Sequence, residues 1–190
     1  AYEAYPNFEN GGYQFSAIQT SRAFFGSMNM TSPIIQDAAV RKAIAMGINK
    51  EGFVKTLLDG HGVAANGAFP DGFSTFGGEH VKTETYDPEG AKALLESAGW
   101  VDSDGDGIRE KDGVKLTIRW LTYPSRQELP LLAESAQASL KEIGIDVDIN
   151  CTANRREFLA DMGSWDIYAS ALVTAPSGDP KYFFTTSCVP

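Results

Sequence analysis

The feature that most constrains this sequence is a regular alternation of apolar patterns over residues 116–184. Apolar runs at 116–121, 145–149 and 167–173 are separated by stretches whose apolar residues recur with helical period. Strands that alternate with helices in this way form parallel pairs connected by crossover helices. The sequence therefore predicts an α/β fold with a central, mostly parallel sheet and flanking helices.

The ends of the predicted strands indicate where a ligand would bind. Right-handed crossovers place the carboxyl ends of parallel strands at one edge of the sheet, and open α/β sheets bind ligands in the crevice there. The turns at 123–125, 152–154 and 174–179 follow the three strands, so we expect them to lie together. Their polar side chains are Tyr123, Ser125, Thr152, Thr174, Ser177 and Asp179.

Composition excludes several classes of protein. The chain has 190 residues, of which 43% are hydrophobic, and this is ordinary for one globular domain with a core. A net charge of −9, without a basic cluster, argues against nucleic acid as a partner. No apolar run approaches the length of about 20 residues that a membrane-spanning helix needs. Cys151 and Cys188 could form a disulfide or remain two separate thiols, and the sequence leaves both open.

The first half of the chain predicts a different succession of elements. Residues 1–35 are predicted to be strand-rich, with extended runs at 13–20 and 22–30. A helical hairpin is expected over 38–58, followed by a long loop at 61–85 that contains both histidines, His61 and His80. The histidines lack the spacing of metal ligands, so we interpret them as solvated loop residues. We treat residues 1–190 as a single lobe.

Capping residues predict where the helices begin. Asp37 and Asp87 are suited to the N-termini of helices that start near residues 38 and 88. Ser125 with Glu128, and Asn154 with Glu157, have the spacing of capping boxes. The expected buried stripes of the two following helices are Leu132, Ala136, Leu140 and Ile143, and then Phe158, Leu159 and Met162. Asp179 is expected to open the last helix, and this role competes with a role in ligand binding.

Alternating aspartates form the one motif that suggests a metal. Asp102, Asp104, Asp106 and Gly107 match the opening of a calcium loop, and Glu110 is a further carboxylate nearby. The twelfth position, where a glutamate would complete the site, is Gly113. A polar hairpin turn held by aspartate side chains, with a second turn at Asp112 and Gly113, is favoured over calcium. A calcium-stabilised extracellular interaction module is the alternative function.

Several segments, in this order, resemble the large solute-binding proteins of ABC importers for peptides and nickel. They are residues 40–50, 60–70, 98–100, 104–107, 142–145, 165–167 and 178–180. The resemblance implies a periplasmic-binding-protein-like fold of which this chain is the second lobe. It also implies an extracytoplasmic location, a peptide or metal complex as ligand, and an ABC permease as partner, with no cofactor.

The resemblance also implies which residues face the ligand. In that family the loop after the third strand faces the solute, and here it comprises Thr174, Ala175, Pro176, Ser177 and Gly178. Pro176 stands where peptide-binding members often have an acidic residue. Thr174 and Lys181 stand where nickel-binding members have a tryptophan and a histidine. The sequence therefore matches neither ligand pattern at these positions.

Catalysis is not expected. The three turns contain hydroxyl groups and one carboxylate but no histidine that could act as a base for a nucleophile. No strand-to-helix turn carries a glycine-rich phosphate loop. The expected ligand-binding residues are thus Tyr123, Ser125, Thr174, Ala175, Pro176, Ser177 and Asp179, with no catalytic residues.

Overall fold

A computed structural model describes residues 4–14, 16, 20–69 and 81–188. The helices are α1 Tyr5–Asn10, α2 Pro33–Gln36, α3 Ala38–Gly47, α4 Lys50–Leu57, α5 Pro88–Ser97, α6 Glu128–Lys141, α7 Arg155–Ala160 and α8 Lys181–Ser187. The strands are β1 Arg22–Met28, β2 Glu110–Lys111, β3 Val114–Lys115, β4 Thr117–Thr122, β5 Asp146–Cys151 and β6 Ile167–Val173. The alternation of strand and helix over 116–184 is as the sequence predicts.

The chain divides into two compact units. One comprises residues 24–49 and 83–172, which we call the sheet unit, and the other comprises residues 1–23, 50–82 and 173–190, which we call the helical unit. None of the described helices has the combination of length and hydropathy that a membrane span requires.

The central sheet has four strands in the order β1-β6-β4-β5. Strands β4 and β5 are parallel over their whole length, from Thr117 opposite Asp146 to Thr122 opposite Cys151. Strand β6 is also parallel to β4, with Ile167 opposite Trp120. The three strands predicted to be parallel are therefore parallel, and the mostly parallel α/β sheet is confirmed.

The core of the sheet unit lies between this sheet and helices α3, α5 and α6. Its fully buried side chains come from these elements, from α2 and from the residues that connect them, and they include Ile35, Val40, Ile44, Leu95, Leu116, Ile118, Leu129, Leu140, Ile143 and Ile145. Burial of these side chains stabilises the folded state by about 25 cal/mol for each Å² of apolar surface removed from water. The packing fixes the strands and hence the position of their carboxyl ends.

Of the four caps predicted within the sheet unit, two are confirmed and two are wrong. Asp37 accepts a hydrogen bond from the amide of Ala39 at the start of α3, and Asp87 accepts one from Gly90 in α5. Ser125 is not a cap, because α6 begins at Glu128 without a side-chain cap, and Asn154 makes no cap bond at α7. At α6 a backbone turn leads into the helix, in which the Leu129 amide donates to the carbonyl of Arg126. At α7 Asn154 occupies the N-cap, and its backbone carbonyl, not its side chain, accepts from the Glu157 amide in the first turn.

The predicted buried stripe is largely confirmed for the first of these helices and needs correction for the second. Of the four residues predicted for α6, Ala136, Leu140 and Ile143 are buried, and Leu132 is half-buried and packs against the core. Leu129 and Ala133 in α6 are buried as well. In α7 no residue is fully buried, and Met162 is 45% exposed because the helix ends at Ala160, before that residue.

The first 35 residues are less strand-rich than predicted. Strand β1 confirms the run at 22–30, but α1 and α2 are helical. Pro6 and Pro33 lie in the first turns of these helices, where the fixed proline φ angle and missing amide proton favour a helix start. The run at 13–20 lies partly outside the described residues.

The helical unit contains α1, α4 and α8. Phe53 and Leu58 are buried, and the ring of Phe69 contacts those of Phe183 and Phe184 at centroid distances of 5.8 and 6.0 Å. His61 packs edge-on against the ring of Tyr5, 4.6 Å away. Residues 61–69 and 81–87 form neither helix nor strand, as predicted for this loop, and His80 lies outside the described residues.

Candidate functional site

The carboxyl ends of β4 and β5 are held side by side in the sheet unit. Thr122 and Cys151, the last residues of the two strands, are register partners. The pairing continues beyond them, because the Thr152 amide donates to the Thr122 carbonyl at 3.0 Å. The turns at 123–125 and 152–154, two of the three that the sequence predicts to meet, therefore begin next to each other.

Tyr123 is fixed at this edge by contacts on several sides. Its side chain is buried, and its hydroxyl oxygen accepts a hydrogen bond from the Ala171 amide at 3.3 Å. The guanidinium carbon of Arg155 lies 4.2 Å from the centre of its ring. The Tyr168 ring lies 6.3 Å away on the neighbouring strand. Tyr123 is thus a rigid part of the edge with little exposed surface, and its prediction as a ligand-contacting residue is untested.

Arg155 is the residue that sequence reasoning missed. It is the first residue of α7 and is half-buried. Burial raises the pKa of Tyr168, while the positive charge of Arg155 acts in the opposite direction. The sequence did contain a signal for this residue: a positively charged side chain shortly after a predicted strand, in a chain whose net charge is −9. Ser125, by contrast, is exposed on its turn.

The segment that follows β6 belongs to the helical unit, and its first residues are buried. The amide and hydroxyl of Thr174 both donate to the Ser21 carbonyl, at 2.8 and 2.9 Å. The Ser21 hydroxyl in turn donates to the Ala175 carbonyl at 3.3 Å. Thr174 and Ala175 therefore fasten this segment to the residue before β1, and the donor capacity of the Thr174 hydroxyl is already used.

The next residues of this segment are exposed. Pro176, Ser177 and Asp179 have exposed side chains. One Asp179 oxygen accepts a hydrogen bond from the Lys181 amide at 2.8 Å, so its role at the start of α8 is confirmed. Gly178 has a φ of 77° and its amide donates to the Ala175 carbonyl at 3.1 Å, which closes a tight turn. The Ser177 hydroxyl and the second Asp179 oxygen are the groups that this turn can offer to a solute.

The expected site residues thus form two groups. Tyr123 and Ser125 lie with residues 152–155 in the sheet unit, and residues 174–179 lie together in the helical unit. The prediction that all three turns line one crevice stays a prediction.

The aspartate loop is a hairpin turn held by its own side chains. Oxygens of Asp102, Asp104 and Asp106 come within 4.8 Å of one another. They accept hydrogen bonds from the amides of Gly105, Asp106, Gly107 and Ile108. The Lys115 ammonium contacts both Asp104 and Asp106. The antiparallel pairing of β2 and β3 confirms the hairpin and its second turn at Asp112 and Gly113.

Glu110, the fourth carboxylate proposed for calcium, is also engaged. One of its oxygens accepts hydrogen bonds from the amide and hydroxyl of Ser103. Its backbone pairs with Val101. All four carboxylates are thus engaged by backbone amides, by Lys115 or by Ser103, and the second oxygen of Glu110 is buried without a hydrogen-bond partner among the described residues.

The sequence was compared with those of known families and proteins. The profile described as "Bacterial extracellular solute-binding proteins, family 5 Middle" matches residues 2–189. The chain belongs to this family. Its description names solute binding as the common property of the members.

Relatives of the family 5 chain include nickel-binding and peptide-binding proteins. The nickel-binding periplasmic protein of Escherichia coli K12 is 31% identical over 143 residues, which are 74% of this chain and 27% of that protein. The oligopeptide-binding protein AppA of Bacillus subtilis is 33% identical over 120 residues, 63% of this chain and 22% of AppA. The family 5 chain thus spans about a quarter of the length of these relatives.

A solved structure confirms the fold. NikA from Brucella suis in complex with Fe(III)-EDTA superimposes with a TM-score of 0.86 and 28% identity, covering all of the family 5 chain and 38% of NikA. The expected periplasmic-binding-protein-like α/β fold is therefore correct.

Proposed function

We propose that this chain is the second lobe of an extracytoplasmic solute-binding protein that serves an ABC importer. The observation that carries the proposal is the family match over residues 2–189. The proposed solute is a peptide or a complex of nickel or another metal, because relatives are named for binding nickel and oligopeptides. The proposed partner is an ABC permease in the membrane, which receives the solute from the binding protein on its outer face.

The proposed mechanism is capture by closure of two lobes. A solute that contacts both lobes favours the closed state over the open one by its differential affinity, and no bond is made or broken. The parallel strands support this proposal, since their carboxyl ends carry Tyr123 and the turn at 152–154 to one edge. We place the solute against Tyr123 and Ser125 and against the loop at 174–179. Neither set of side chains forms an arrangement suited to acid–base chemistry, so we propose no enzymatic step.

Calorimetry with two proteins tests the proposal. The 190-residue chain and the product of its complete coding sequence are titrated with a peptide library and with nickel complexes. We expect tight binding by the complete protein and weak or undetectable binding by the chain, because one lobe supplies only part of the contacts and cannot enclose the solute. Tight binding by the chain alone would contradict capture between lobes. A complete protein that binds no member of either class would refute the proposed solutes.

A further inference from the structure

A stacked arginine occupies the carboxyl edge of the sheet. The Arg155 guanidinium lies over the Tyr123 ring at 4.2 Å, close enough for a cation–π contact. Its positive charge also acts on the nearby Tyr168 hydroxyl. A guanidinium presents five N–H donors in a planar fork, and a face-on stack leaves the donors at its rim unobstructed by the ring. Arg155 is therefore oriented before any ligand arrives, with donors to spare.

No carboxylate neutralises this cation within the part of the chain that the structure describes. Arg109 and Arg119 have acidic partners, since Arg109 contacts Glu96 at 3.0 Å and Arg119 contacts Asp166 at 2.6 Å, whereas Arg41 donates to the backbone carbonyls of Ile35 and Gln36. None of the ion pairs between described residues includes Arg155. Arg155 thus differs from these three arginines, because no carboxylate or backbone carbonyl among the described residues accepts from its guanidinium.

The position of Arg155 is also informative. It follows β5 by four residues and contacts the residue that follows β4, and the ends of these strands are paired. Ligands of open α/β sheets bind at this edge. The hydrogen bond from Ala171 to the Tyr123 hydroxyl and the stack of Arg155 on the Tyr123 ring together hold the guanidinium relative to the sheet. A group held on strand ends in this way can select a ligand by geometry as well as by charge.

We propose that Arg155, supported by Tyr123 and Tyr168, binds a carboxylate of the solute and so selects solutes that carry one. A carboxylate matches the guanidinium fork with two parallel hydrogen bonds, which are stronger than bonds between neutral groups. This inference rests on the proposed solute-binding function and narrows its substrate class. Both proposed solute types can supply the group, because peptides end in a carboxylate and many metal chelators bear several.

Nuclear magnetic resonance of the 190-residue chain tests this assignment, since it detects the weak binding expected of one lobe. The probes are alanyl-alanine, its C-terminal amide and cobalt(III)–EDTA, an inert diamagnetic chelate that carries carboxylates. We expect at least one carboxylate probe to shift the Arg155 Nε–H resonance together with amides at 123–125 and 152–155. If alanyl-alanine causes these shifts, it should bind at least about tenfold more tightly than its C-terminal amide.

Variants assign the effect to one side chain. Arg155→Gln should abolish the preference for carboxylates, and Arg155→Lys should restore only part of it because an ammonium lacks the fork. Arg156→Gln, with the same charge change one residue along α7, is the matched control and should leave the preference intact. The affinities of the unvaried chain for the dipeptide and for its amide already test the carboxylate preference, so the test does not depend on the folding of any variant.

The outcomes separate this inference from the proposed function. If the dipeptide and its amide shift the strand-end amides equally, and Arg155→Gln changes neither affinity, the solute-binding edge stands and the role of Arg155 is overturned. A carboxylate preference that survives Arg155→Gln but is lost in Arg126→Gln also overturns it. If no probe shifts any resonance near these turns, the inference falls, and the calorimetry of the complete protein decides the proposed function separately.

Discussion

Arg119 and Asp166 form a two-pronged ion pair across the starts of two parallel strands. The Arg119 guanidinium donates to both Asp166 oxygens, at 2.6 and 2.9 Å, and the Arg119 amide donates to the same carboxylate at 2.8 Å. The Asp166 amide returns a hydrogen bond to the Arg119 carbonyl at 2.9 Å. Asp166 is fully buried, while the Arg119 side chain is 40% exposed. This pair fixes β6 beside β4 at the edge opposite the strand ends that carry Tyr123.

Removal of the arginine should therefore destabilise the sheet unit. Arg119→Gln leaves a buried carboxylate without its counter-ion, and we expect a loss of about 2–3 kcal/mol in the free energy of unfolding. Urea titration followed by tryptophan fluorescence measures the change. Arg156→Gln, an exposed arginine, is the control and should change the free energy by less than about 0.5 kcal/mol. Equal midpoints for the two variants would contradict the structural role of the pair.

The same pair predicts how stability depends on pH. Burial alone would raise the pKa of Asp166, but the hydrogen bonds and charge of Arg119 outweigh it, so the pKa lies below the ordinary value of 3.8. A carboxyl with a lowered pKa contributes stability above its unfolded value and loses this contribution as the pH falls through the folded pKa. In Arg119→Gln the guanidinium no longer offsets the burial of Asp166, so the pKa of Asp166 rises and its contribution to stability at neutral pH falls.

We therefore expect the destabilisation caused by Arg119→Gln to be largest at pH 7 and to shrink below about pH 4. Urea midpoints of the unvaried chain and the variant, measured at steps of pH, provide the comparison. A difference that stays constant or grows on acidification would show that Asp166 does not titrate as the structure indicates.

Asp37 should matter more than an ordinary helix cap. Its carboxylate accepts from the Ala39 amide at 2.9 Å and from the indole of buried Trp100 at 3.0 Å. Asp37→Ala therefore removes a cap and leaves a buried N–H unpaired, at a combined cost of about 2 kcal/mol. Asp87→Ala, which removes only the cap bond to Gly90, is the matched comparison and should cost about 1 kcal/mol. Thermal and urea unfolding would show whether the two losses differ.

Calcium should not stabilise the chain. The oxygens of Asp102 and Asp106 are occupied by backbone amides, and the Lys115 ammonium lies against Asp104 and Asp106 where a cation would otherwise bind. We expect no change in Tm at micromolar calcium, the range of sensor sites. Magnesium at the same concentration is the control for non-specific ionic effects. A rise of several degrees with calcium alone would reinstate the loop as a metal site.

The sheet could be predicted from sequence because its signals are local and redundant. Periodicity identified β4, β5 and β6, and Asp37 and Asp87 marked helix starts that the structure confirms. The wrong caps at Ser125 and Asn154 both follow from the backbone. A side chain caps a helix only from the N-cap position and with the extended backbone typical of that position. Ser125 lies two residues before Gln127, the N-cap of α6, and Asn154 is the N-cap of α7 but has φ −89° and ψ 27°.

The candidate site was only partly visible in the sequence for a different reason. Tyr123 could be placed because it directly follows a strand, but the stack of Arg155 on its ring joins residues 32 positions apart. Likewise, the hydrogen bond from the Thr174 hydroxyl to the Ser21 carbonyl joins residues 153 positions apart. It uses a hydroxyl that the sequence predicts to bind a ligand. Local patterns predict which turns meet, but they cannot predict which side chains donate their hydrogen bonds to distant parts of the same chain.

The hydrogen bond that continues the pairing of β4 and β5 past their last residues has an evolutionary consequence. The two turns begin where β4 and β5 are held together by hydrogen bonds between backbone groups. Substitution of side chains in either turn therefore leaves this pairing intact. Substitution of a few turn residues can then change the preferred solute during evolution while the paired strands stay the same. One fold can in this way serve transporters of chemically different solutes.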